Sequence, residues 1–105
     1  MKLIGIIILA AVIIFFSGVA SASPARVSIK DFQFSPAEIT IQKGEMVIWT
    51  NSGQTSHTVK FADSESPILK SGGTYSKTFN EAGTFNYECG IHPSMKGTVT
   101  VNYAY

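Results

Sequence analysis

A small all-β sandwich is the fold this sequence predicts, and three observations carry it. After position 22 the apolar residues recur with a period of two: Val27 and Ile29, Ile39 and Ile41, Phe85, Tyr87 and Cys89, Val99 and Val101. Turn-forming residues separate these runs at roughly the 8–12-residue spacing of a sandwich. No stretch of that region carries the 3.6-residue period of a helix.

The chain has 105 residues, enough for one domain, but its start is of another kind. Met1 and Lys2 give a short positive beginning, Leu3 to Phe16 is an apolar run, and Ala20-Ser21-Ala22 fits a small-residue cleavage site. That is the pattern of a secretory signal peptide over 1–22, followed by a domain over 23–105. The alternative is an uncleaved membrane anchor, since no charge lies between Lys2 and Arg26. The strongly apolar part is short for a span, which favours cleavage and a periplasmic or otherwise extracytoplasmic location.

Within the domain, Arg26 to Phe34 reads as one strand, Glu38 to Gln42 as the next, and Lys43-Gly44 as a turn into Met46 to Asn51. Asn51-Ser52-Gly53-Gln54 is turn chemistry. Thr58 to Phe61 reads as a short strand, Ala62 to Gly73 as a long loop, and Thr74 to Phe79 as a strand. Thr84 to Cys89 alternates strictly, and Thr98 to Tyr103 repeats the pattern with Val99, Val101 and Tyr103 on one face. Phe85 and Tyr87 read as core, and Cys89 as an inward side chain at a strand end.

Charge excludes one broad class. Without Lys2, seven basic residues balance seven acidic ones, so the basic face that nucleic acid demands is missing. A domain this small has a limited core. Exported domains of such size often rely on disulfides, yet Cys89 is the one cysteine. A metal-ligand role would protect it and help to hold the fold.

Cys89-Gly90-Ile91-His92-Pro93-Ser94-Met95 places a thiolate, an imidazole and a thioether at C-x2-H-x2-M spacing. The other histidine, His57, lies 32 residues before Cys89. Taken singly, each residue has a plainer reading: a buried small hydrophobe for Cys89, a loop residue for His57, core filler for Met95. Taken together, one Cys, two His and a weak Met form the donor set of a blue-copper site. Soft sulfur suits Cu(I), imidazole suits Cu(II), and a mixed set tolerates both. Structural zinc wants four strong donors, and methionine is a poor fourth.

With those residues in view, the chain resembles the cupredoxins of the plastocyanin and amicyanin group. The likeness runs through Gly44–Asn51, Ser56-His57-Thr58-Val59, Gly83–Cys89 and Gly97–Val101, and the short ligand loop is most like that of amicyanin. It implies a Greek-key β-sandwich of seven to eight strands holding one type 1 copper ion. His57, Cys89 and His92 would be the strong ligands and Met95 the weak axial one. The family usually has Asn after the first histidine, where this chain has Thr58. The Thr58 backbone N–H still serves the cysteine sulfur, but the asparagine side chain that braces the ligand loop is missing. Pro93 has no N–H and cannot donate to the sulfur, and fewer donors there imply a lower reduction potential.

The function implied is one-electron transport between a redox donor and an acceptor, without substrate turnover. Partners would dock weakly at an apolar patch of Ile91 and Pro93 around His92, as transient redox contacts do. The chain would act as a monomer, with membrane association only through its N-terminal segment. A copper-delivery protein is the alternative, weakened by the small number of methionines, and a metal-free adhesion module is a third reading. A copper site saturated by protein donors leaves no open position for catalysis, so an enzyme is not expected.

Overall fold

A computed structural model describes residues 23–103, and these form seven strands in two sheets. The strands are β1 Ala25–Lys30, β2 Gln33–Ser35, β3 Glu38–Gln42, β4 Met46–Asn51, β5 Thr74–Thr78, β6 Gly83–Glu88 and β7 Lys96–Asn102. One sheet has the order β2-β1-β4-β5 and the other β3-β7-β6. Two pairs are parallel, β1 with β4 and β3 with β7, and the rest antiparallel. The leader expected over 1–22 lies outside the described residues. Among the described residues there is no helix long and apolar enough to cross a membrane.

The period-two residues meet between the sheets. Val27, Ile29, Val47, Trp49, Val99 and Val101 are buried, with Ile39 and Phe85 partly buried against them. Aromatic side chains fill the centre: the Tyr87 ring stands edge-on to Trp49 at 5.4 Å and to Phe34 at 4.7 Å. Such contacts add to what burial of each ring contributes. Tyr87 in turn requires glycine at its cross-strand partner, Gly97, where a Cβ would collide with the ring.

Three expectations change. The strand expected over Arg26–Phe34 is a hairpin, because Asp31 and Phe32 turn the chain with φ of 54° and 57°. Asp tolerates that left-handed region, but a bulky Phe there costs about 1–2 kcal/mol. Thr58–Phe61 is not a strand, because its backbone groups bond to three separate places: Ser66, Ser64 and Glu88. Tyr103 is exposed rather than inward, since β7 ends at Asn102 and the sheet offers nothing beyond it.

Candidate metal centre

The end of the sandwich where β1, β4 and β6 stop carries the site. Ile29 pairs with Asn51, so the Asp31-Phe32 turn and the segment after β4 emerge side by side. Cys89 follows β6 directly and is completely buried. Its Sγ lies 3.6 Å from His57 Nδ1 and 3.7 Å from His92 Nδ1. One donor atom from each of the three residues lies within 4.8 Å of the others.

These separations fit a shared ion. Two donors ~2.0–2.3 Å from one metal and ~110–120° apart are separated by about 3.5–3.8 Å. A thiol has a single proton and can satisfy only one of two imidazoles, so a protonated Cys89 leaves one ring nitrogen poorly served. Three strong donors of mixed softness, with a thioether beside them in the chain, suit copper in either oxidation state better than they suit zinc.

The loop is folded by its own hydrogen bonds. Cys89 N–H donates to Met95 O at 3.1 Å, and Met95 N–H donates to His92 O at 2.9 Å. His92–Met95 is therefore a tight turn with Pro93 second, where its fixed φ suits the turn. Met95 is brought back beside Cys89 and is buried, while His92 is half-buried and Ile91 and Pro93 are exposed.

Two expectations about this loop are corrected. The Cys89 sulfur accepts from Thr58 N–H at 3.5 Å, as expected, but also from His92 N–H at 3.4 Å. The turn of the loop points the histidine's own amide back at the sulfur, so Pro93's missing N–H does not leave Thr58 alone. Nor is the loop unbraced: the Thr58 hydroxyl accepts from Gly90 N–H at 2.8 Å. A hydroxyl replaces the absent carboxamide.

His57 is buried, and its backbone pairs both ways with Leu69. Asn51 secures that pairing, donating through Nδ2 to Leu69 O at 2.8 Å and Thr55 O at 2.7 Å while Oδ1 accepts from Gly53 N–H at 3.0 Å. Burial first, and the neighbouring His92 second, hold the His57 imidazole below its ordinary pKa. A neutral ring is the form that binds metal.

Sequence reasoning missed Phe32. Its ring stands edge-on to His92 at 5.1 Å and to His57 at 5.7 Å while over half of the residue stays exposed. The available signal was a change of parity: Val27 and Ile29 occupy odd positions, Phe32 and Phe34 even ones.

A sandwich with a His-Cys-His donor cluster at one end defines a class, that of small single-site metalloproteins with β-sandwich folds. The chain belongs to the cupredoxin-like domain family, whose model matches residues 4–101. It is 40% identical over 89 residues to amicyanin-alpha of Methylorubrum extorquens, covering 78% of this chain and 75% of that one. It is 35% identical to plastocyanin of Scenedesmus fuscus, covering 65% and 85%. The crystal structure of amicyanin from Paracoccus versutus superposes with a TM-score of 0.72 at 32% identity, covering 81% and 87%.

Proposed function

We propose that this protein is a one-electron carrier built around one type 1 copper ion, with His57, Cys89 and His92 as strong ligands and Met95 as the weak axial one. The observation that carries the reading is the convergence of both Nδ1 atoms on the Cys89 sulfur at 3.6 and 3.7 Å. Copper bound there supplies a Cu(I)/Cu(II) couple. The residues supply the rest. Two backbone N–H groups hold the sulfur in place and moderate its electron donation. The buried His57 ring and the turn at Pro93 fix donor positions before any metal arrives, so little has to move when an electron does. With every donor supplied by the chain, no position is left for a substrate, which argues against an enzyme.

Half-buried His92 is the route between the centre and the surface. Exposed Phe32, Ile91 and Pro93 surround it with apolar surface and suit brief contact with a donor and then an acceptor. The 1–22 pattern supports work outside the cytoplasmic membrane, and a mature N-terminus at Ser23, seen by mass spectrometry, would establish cleavage there. The test of the centre is the visible spectrum after copper addition. An intense band near ~600 nm is expected for Cu(II)–thiolate, and its absence would overturn the reading.

A further inference from the structure

We propose that Glu65 is a positioning residue of the metal centre, acting on the ligand loop through the Thr58 hydroxyl; this rests on the copper reading above. The Thr58 hydroxyl donates to Glu65 Oε2 at 2.8 Å and accepts from Gly90 N–H at 2.8 Å. A hydroxyl has one proton and two lone pairs. The O–H points at Glu65, which accepts the hydrogen bond, so a lone pair is left facing Gly90, the residue directly after the cysteine. Polarisation along such a chain strengthens each bond in it.

Glu65 is exposed, but its backbone holds it within reach of the Thr58 hydroxyl. Its backbone bridges Lys60, Val59 and Ser66 bond each other across the hairpin, and Phe61 N–H closes the hairpin tip on Ser64 O at 2.7 Å. Lys60 also bridges Glu88, the last residue of β6. The hairpin is thus tied to the strand that delivers Cys89. Glycine at 90 completes the fit, because a Cβ there would collide with both Glu65 Oε2 and Thr58 Oγ1. Thr58 lies next to His57 and Gly90 next to Cys89, so one hydroxyl joins the two ligand-bearing segments, and Glu65 sets its direction.

The test is amide hydrogen exchange at Gly90, read by NMR in the metal-free and Cu(I)-loaded protein, with Val99 in the middle of β7 as the internal reference. Glu65→Ala and Thr58→Val should speed Gly90 exchange about five- to tenfold, the factor set by one hydrogen bond of ordinary net strength, with Val99 unchanged. Both should also speed Cu(I) release to a chelator. Glu65→Gln and Thr58→Ser keep the acceptor and the hydroxyl, and should restore Gly90 protection to within about twofold of wild type. The proposal is overturned if Glu65→Ala leaves Gly90 unchanged, if Gly90 and Val99 accelerate together, or if Gln fails to restore protection. Each of these results is readable in the metal-free protein, whereas failure of the copper reading shows as a wild-type protein with no blue band.

Discussion

Asn51→Ala, at the last residue of β4, should strongly destabilise this protein. Asn51 is completely buried and makes three hydrogen bonds, to Thr55 O, Leu69 O and Gly53 N–H. Two carbonyls on one side and an N–H on the other fix which way its amide points. At ~1 kcal/mol net per bond, truncation costs about 3 kcal/mol, and more where the abandoned partners stay dry. A domain of ~80 residues has only about 4–12 kcal/mol to lose. With an m-value of ~1 kcal/mol/M, the urea midpoint of the metal-free protein should fall by about 3 M. Because Leu69 pairs with His57, metal release should accelerate as well. Asn51→Asp keeps the shape but turns both donors into acceptors facing carbonyls, so it should be no better than Ala. A loss below about 1 kcal/mol for Ala, or a near-native Asp variant, would refute the reasoning.

The remaining predictions concern the centre itself. Cys89→Ser should abolish the blue band on copper addition, and retained intense colour would sink the ligand assignment. Met95→Gln should keep the band and lower the potential, because an axial donor tunes the metal rather than holding it; an unchanged midpoint potential would contradict that role. Phe32→Asp should leave the spectrum intact but slow electron self-exchange between Cu(I) and Cu(II) copies by about tenfold, since like charges would face each other across the apolar patch; NMR line broadening measures this. In the metal-free protein, His57 is held below its ordinary pKa, so on acidification the unfolded chain takes up the proton first. The stability contributed by neutral His57 is therefore fully present above about pH 6.5 and lost as pH falls through the depressed folded value, at up to ~1.4 kcal/mol per unit. Urea midpoints from pH 8 to 5 should show that fall, and His57→Gln should flatten it.

The donor residues were legible in the sequence for a chemical reason. Thiolate and imidazole are scarce here, one cysteine and two histidines, so the spacing around Cys89 left few alternatives and His57 followed by elimination. Strand residues were legible wherever burial on one face imposes period two. That same signal misled at Thr58–Phe61, where Val59 and Phe61 are both buried although the backbone bonds to scattered partners and meets a strand only where Lys60 pairs with Glu88 at the end of β6. Burial writes alternation into side chains; it does not say where the N–H groups go.

The braces around the centre were hidden for the converse reason. The amides of Gly90 and His92, the Thr58 hydroxyl and the Asn51 carboxamide are common groups with no distinctive spacing. Thr58 in place of the family's asparagine reads as a deletion when position 58 is considered alone. It becomes a substitution of one brace for another only when glycine at 90 and Glu65 on its hairpin are seen in the same place. The unit that holds the loop is therefore a triple of positions brought together by the fold. Replacing Thr58 with asparagine in this chain should not simply restore a family brace. The longer side chain would enter space that Glu65 Oε2 and the Gly90 backbone already occupy, and it gains room only if position 65 is shortened with it.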